Sequence, residues 1–420
     1  MVQGQGVAGI VAADEPNAVL AAREILNAGG NAADAATALG FALTVTFPSS
    51  AGIGGGGACL VFDSQNGAAE VLDFQPQDPS VVSHGTRWQT AIPTFARGMF
   101  ALHARYGSLP WQRTIIPAEK LARRGFPVSR ALARDLSTAS ETLSNDSNAR
   151  DTFMTNRRYM MGEGDIVKQL DLAAVLGRLR GRLPGYFYSG TFGREVSAAA
   201  KNLGATMSMA DLRAYTPRWI KPKARNLNGI AVYLIPTEVL PSHGIETGRQ
   251  ATGLEVNDGI EKYEPSATGY VVADGRGNAV ACALTMAKPF GTGLMPENMG
   301  FLLAPSDGGS GTKAGHLGGM IVLANGSVQF AAAAGGSGNA AELERVRRLV
   351  LQDGKDLRQS LASKSEPSNQ GIGAVSGSSM RAPQINAIHC PEGLKQNASR
   401  CKAFADPDGY GYAVLVGTEG

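Results

Sequence analysis

Apolar residues along the first sixty positions alternate between two periods. Ile10–Ala13 form a short apolar run of strand character. Asn17–Ala28 then places Val19, Leu20, Ile25 and Leu26 at helical spacing and stops at Gly29-Gly30. Asn31 opens a second, Ala-rich helix reaching about Leu43, whose almost unbroken small apolar residues demand burial on most sides. The stretch Pro48–Asp63, PSSAGIGGGGACLVFD, follows with five glycines in six positions and runs at once into a strand pattern over Ala58–Phe62. Glycine lets neighbouring backbone come close, so this density marks main chain folded tightly around something. Gly52, Gly54 and Gly57 satisfy G-x-G-x-x-G, but a dinucleotide fingerprint needs a strand before it and a helix after it. The order here is reversed, which argues against a nucleotide-binding protein.

Glu70–Phe74 reads as the hairpin partner of the first glycine-led strand. Pro93–Tyr106, Trp111–Arg124, a segment within Pro184–Leu203 and Met209–Tyr215 read as helices, with a strand at Ile230–Ile235. Residues 236–265 lack any period and read as loop. Beyond them strands dominate. Tyr270–Ala273 and Ala279–Thr285 pair across Asp274–Asn278, and Gly319–Leu323 and Val328–Ala333 pair across the favoured Asn325-Gly326 turn. Gly335-Gly336-Ser337 leads into a helix at about Ala340–Gln352. Ser360–Ser379 reads as loop and Tyr412–Val416 as a last strand. Helices concentrate early and hairpins late, which predicts an α+β fold with antiparallel sheet.

Composition narrows the function. The net charge of +3 comes without a Lys/Arg run of five, so neither nucleic acid nor an anionic membrane is favoured. No apolar run is long enough to span a bilayer, and the N-terminus lacks the pattern of a signal peptide. The five histidines show no metal-ligand spacing, and no metal or cofactor is expected. Cys59 and Cys282 lie in apolar strand patterns and read as buried thiols. Cys390 and Cys401 flank a polar loop and are spaced to close a disulfide, which would favour an oxidising compartment. Spacing alone leaves that connectivity open.

Several blocks, in order, resemble the γ-glutamyltranspeptidase family: Ala22–Asp63, Leu72–Pro79, Tyr106–Ser129 (YGSLPWQRTIIPAEKLARRGFPVS), Tyr186–Trp219, Tyr270–Leu303 and Gly319–Ser337. The resemblance implies an N-terminal nucleophile hydrolase, a four-layer αββα sandwich of two antiparallel sheets. It implies a precursor that cuts itself into a large-subunit-like region (1–267) and a small-subunit-like region (268–420), together one structural domain. The new N-terminal threonine is the family's nucleophile, and its own α-amino group serves as base. That chemistry needs no Ser/His/Asp spacing. A periplasmic or secreted location is likewise implied.

Carried over residue by residue, the family's nucleophile position falls on Ala267, and Thr268 sits on the threonine that follows it. Cleavage between Ala267 and Thr268 is therefore expected, with Thr268 as nucleophile one residue later. The alternative is a catalytically silent relative that keeps the fold as a binding protein. Thr285 matches the supporting threonine, and Gly335 and Gly336 match the pair whose N–H groups form the oxyanion hole. The substrate positions depart further. Gln75 replaces the arginine that binds the γ-glutamyl carboxylate, forfeiting a bidentate ion pair. Ala287 replaces an asparagine, Ala304–Gly309 replaces a polar segment, and Gly315-His316 stands where the family has two serines. Ser337 follows the glycine pair. Glutathione thus gives way to another small amide or peptide substrate, with water or an amine as acceptor.

Overall fold

The structure, a computed structural model, describes residues 6–81, 90–156, 158–222, 224–227, 229–236, 266–306, 317–336, 338–363 and 383–418. Gly315, His316, Ser337 and nearly all of the segment read as loop over 236–265 lie outside the described residues.

Two antiparallel sheets stack face to face. The first sheet takes β1 (Val7–Ala13), β2 (Gly56–Asp63), β3 (Ala68–Phe74) and β4 (Arg218–Ile220) from the first half of the chain. The second sheet takes β5 (Arg225–Leu227) and β6 (Ile230–Leu234) from the same half. After residue 265 come β7 (Ser266–Asp274), β8 (Ala279–Ala287), β9 (Leu317–Ala324), β10 (Ser327–Gly335), β11 (Gln384–His389), β12 (Lys402–Phe404) and β13 (Tyr412–Gly417). The seven-stranded sheet runs β13-β1-β7-β8-β2-β3-β4 and the six-stranded one β12-β11-β10-β9-β6-β5. Strands from before and after position 267 interleave in the seven-stranded sheet, and in the six-stranded one the two earlier strands, β6 and β5, form one edge against the four later ones, so neither half could bury its sheet faces alone.

Each layer follows from strand alternation. Val11, Cys59, Leu72, Tyr270, Val272 and Leu284 face the helices, packing against α1 (Pro16–Asn27), α2 (Ala32–Thr46) and α3 (Phe95–Tyr106), with α4 (Trp111–Arg124) laid on the outer side of α2 and α5 (Leu170–Arg182) on α4. Their neighbours Ile10, Leu60, Val271, Ala281 and Ala283 point the other way, against Ile321, Ala331, Ala333 and Ile388 of the second sheet. That sheet's outer face, with Val322, Phe330 and Ala332, is covered by α6 (Asn339–Leu351) and α7 (Leu357–Ala362). The result is the expected αββα sandwich. All fifteen residues of α2 are buried, as its composition demanded.

Polar residues fix how the layers meet. Asn31 and Asp34 form a capping box at the start of α2, and Asp34 also accepts from the Ser108 and Leu109 amides and the Ser108 hydroxyl. His103 Nε2 lies 3.3 Å from the same carboxylate. Asp274, in the β7–β8 turn, accepts the Ala32 amide at 2.9 Å and so anchors α2 to the sheet.

Several boundaries differ from the sequence reading. Pro184–Leu203 is two helices, Pro184–Ser189 and Thr191–Asn202, divided at Gly190. The start of the segment read as loop from Ser360 belongs to α7. The helix α5 and the strand β11 were not anticipated.

The cysteines bring the clearest correction. Cys59 and Cys282 are not free thiols: they face each other in the β2–β8 register and form a disulfide with Cα atoms 4.0 Å apart. An apolar strand pattern says only that a cysteine is buried; the partner is set by sheet register across 223 residues. Cys390 and Cys401 form the second disulfide.

Candidate active site

Tight approach of the two sheets centres on the start of β7. A methyl placed on Gly269 would overlap the Ala333 carbonyl carbon and the Ala334 nitrogen of β10. One placed on Gly335 would overlap the Ala267 carbonyl and lie 2.6 Å from the Thr268 nitrogen. Only glycine at both positions lets β7 and β10 come this close. The Ala267–Thr268 peptide bond therefore packs directly against Gly335, with Gly336 next in line at φ +108°.

Alternation separates the two residues flanking this bond. Ala267 packs with the apolar cluster between the sheets and is partly exposed. Thr268 has no exposed surface, and its Oγ1 donates to Asp14 Oδ2 at 2.6 Å. The other oxygen of Asp14 accepts from Asn386 Nδ2 at 2.7 Å, and the same amide donates to the Gly269 carbonyl at 2.8 Å. Asp14, Thr268 and Asn386 thus form a buried polar triad joining β1, β7 and β11. Burial pushes the Asp14 carboxyl up to about 6, against the lowering effect of the Thr268 and Asn386 hydrogen bonds.

Residues before the bond are held by a second network. Ser266 Oγ donates to the Ser49 carbonyl at 2.6 Å and lies 2.9 Å from Ser50 Oγ. Thr285 Oγ1 donates to the Ser266 carbonyl at 2.6 Å and accepts from the Ala287 amide. Thr285 pairs with Ala267 in the β7–β8 register, and its hydroxyl holds the residue before Ala267 rather than Thr268.

The glycine run proves to be packing. Methyl groups on Gly54, Gly55, Gly56 and Gly57 would overlap the carbonyls of Leu302, Thr285, Phe74 and Ala283 respectively. These positions seat β8 and the 302–303 segment and offer no cradle for a phosphate. The nucleotide reading is thereby excluded for this segment.

Gln75 lies just past β3, at the same end of the sheet but three strands out from β7, on the order of 14 Å away at the usual strand spacing. Its amide donates to Asp73 Oδ1, whose other oxygen binds Arg218 at 2.7 Å. The structure brings together Ala267, Thr268, Thr285 and Gly335, but Gln75 is not in contact with them. Sequence reasoning missed Asp14 and Asn386 altogether. Asp14 lies 254 residues from Thr268 and reads as an ordinary acidic residue before a helix. Among the described residues, no group of three or more His, Cys, Asp or Glu could hold a metal ion. No described helix is long and apolar enough to cross a membrane.

The fold is that of N-terminal nucleophile hydrolases. The cephalosporin acylase from Bacillus halodurans superposes with a TM-score of 0.78 over 98% of this chain and 96% of that one, at 18% sequence identity. Residues 18–245, more than half of the chain, match the gamma-glutamyltranspeptidase family model, and the chain belongs to that family. Curated relatives include the glutathione hydrolase proenzymes of Escherichia coli, 33% identical over 61% of this chain, and of Bacillus subtilis, 31% identical over 57%. The chain spans about half the length of these relatives, matching 46% and 43% of them.

Proposed function

We propose that this chain is an autoprocessed γ-glutamyltransferase-like amide hydrolase or acyltransferase. In this reading the chain cuts itself between Ala267 and Thr268, and Thr268 then attacks an amide donor and passes its acyl group to water or an amine. The observation that carries the reading is the packing of the Ala267–Thr268 bond against Gly335, with the threonine hydroxyl already hydrogen-bonded to a carboxylate.

Once cut, Thr268 carries a free α-amino group, which can take the hydroxyl proton within one residue. Main-chain N–H groups of Gly335 and Gly336 would stabilise the oxyanion, a contribution of roughly 3–4 kcal/mol in comparable sites. Thr285, bonded to the Ser266 carbonyl, would hold the segment that leads into the bond to be cut. The large fragment (1–267) and small fragment (268–420) would stay associated as one domain, because both contribute strands to each sheet and those of the seven-stranded sheet interleave.

For the substrate, Gln75, Gly315, His316 and Ser337 occupy the positions that bind the donor in the family. An amide at Gln75, itself turned to Asp73, is a poor receptor for a free carboxylate. A small amide or peptide other than glutathione fits that chemistry better. The two disulfides favour an oxidising location, periplasmic or secreted.

The test is hydrolysis of a panel of acyl anilides by purified protein, with Thr268→Ala as control. Release of aniline by the wild type and not by the control supports the proposal. No release from any member points instead to the catalytically silent relative.

A further inference from the structure

The proposed nucleophile has no base of its own before the first cut. In the uncut chain the Thr268 nitrogen is an amide, without a basic lone pair, so self-cleavage needs a second group. The carboxylate within hydrogen-bond reach of the Thr268 hydroxyl is Asp14, at 2.6 Å. We propose that Asp14 is the general base of self-cleavage, with Asn386 as the residue that positions it. The inference rests on the self-cleavage reading and adds a catalytic group to it.

The step closes in atoms and charge. Asp14 takes the Thr268 Oγ1 proton as that oxygen attacks the Ala267 carbonyl carbon. The tetrahedral intermediate collapses with loss of the C–N bond, and the Asp14 carboxyl returns the proton to the departing Thr268 nitrogen. An ester and a free amine result. Water then hydrolyses the ester, its oxygen going to the Ala267 carbon and a proton to Thr268 Oγ1. Gly335 lays its Cα against the same carbonyl, where any side chain would displace the reacting bond.

Three features separate this carboxylate from an ordinary buried hydrogen-bond acceptor. It is 1% exposed, yet one oxygen is given wholly to the reacting hydroxyl while Asn386 holds the other. The Asn386 amide also grips the Gly269 carbonyl, so base and nucleophile strand are fixed to one side chain. A pKa near 6 leaves Asp14 ionised at neutral pH but basic enough to accept a proton. Around it, Arg134 favours the ionised form and Asp406 opposes it, with Glu15 next in sequence capping α1.

The experiment follows full-length precursor made by cell-free synthesis and transferred to buffers between about pH 4.5 and 8. Cleavage is read on reducing gels. Wild-type cleavage should rise with pH through an inflection near 6 and then level off. Asp14→Asn, which keeps an acceptor for Thr268 but loses the charge, should cleave roughly 10²–10⁴-fold more slowly and lose the inflection. Asp14→Glu should recover part of the rate. Cleavage of Asp14→Asn within about threefold of wild type overturns the role of Asp14 while leaving self-cleavage intact. A wild-type profile flat below pH 7 overturns it too, even where the variant misfolds. A wild-type chain that never cleaves removes the underlying reading as well.

Discussion

Cys59 and Cys282 are joined across neighbouring strands, yet they stand on opposite sides of the Ala267–Thr268 bond in sequence. The disulfide would therefore tie the large fragment to the small one after any cut at that bond. Cys390 and Cys401, by contrast, lie on the same side of it. Self-cleaved protein is expected to migrate as one species on a denaturing gel without reductant and as two with it. Two bands without reductant would show that the strands are not covalently linked.

Removing that link should also cost stability. In the chain-entropy account, closing a loop of 223 residues is worth about 5 kcal/mol to an uncut chain, and measured effects run at 2–5. A Cys59→Ala/Cys282→Ala variant in an uncleavable Thr268→Ala background should lose stability in that range by denaturant unfolding.

Sheet contact at the site depends on two glycines. Gly269→Ala would push a methyl into the Ala333–Ala334 peptide, where backbone rather than a movable side chain is in the way. A loss of at least about 2 kcal/mol is expected, since overpacked cores yield by shifting backbone. Gly335→Ala meets the Ala267 carbonyl just as closely, so it should cost stability to a similar degree and in addition displace the Ala267–Thr268 bond and block its cleavage. Measured unfolding free energies and reducing gels separate the two effects.

Asp34 gives a pH dependence independent of the site chemistry. Burial alone would raise its carboxyl, but hydrogen bonds from His103, Asn31 and Ser108 outweigh this and hold it below the ordinary carboxylate value. With the folded value depressed, its stabilisation is complete above about pH 4 and is lost as pH falls through the folded value. Asp34→Asn should cost roughly 2–4 kcal/mol at neutral pH by leaving buried donors poorly matched. The gap to wild type should shrink in acid, as urea titrations at several pH values would reveal.

If Gln75 receives the donor as proposed, it sets a substrate preference. With an amide committed to Asp73 in place of a guanidinium, a γ-glutamyl anilide should be turned over more slowly than an acyl anilide lacking the α-carboxylate. Equal or faster turnover of the γ-glutamyl compound would place carboxylate recognition elsewhere.

The layers were legible in the sequence because period and composition are local. Ala-rich α2, the Asn325-Gly326 hairpin and the Gly-led β2 each carry their own signal. The strand that carries Thr268 was legible through the ordered motif blocks. What escaped were relationships fixed only by register between distant strands. Cys59 meets Cys282 because β8 pairs with β2, and Asp14 meets Thr268 because β1 pairs with β7. Neither cysteine spacing nor an Asp-Glu pair before a helix encodes such a partner. The strand β11 was missed because Gln384 and Asn386 interrupt its apolar pattern, and Asn386 does so in order to reach Asp14.

The account stands on the fate of one peptide bond. Intact mass and N-terminal sequencing of reduced, purified wild-type protein, beside Thr268→Ala, test it most directly. The expected result is two fragments, the smaller beginning Thr268-Gly269-Tyr270, with the variant uncut. A wild-type protein recovered only as a single continuous chain would contradict it.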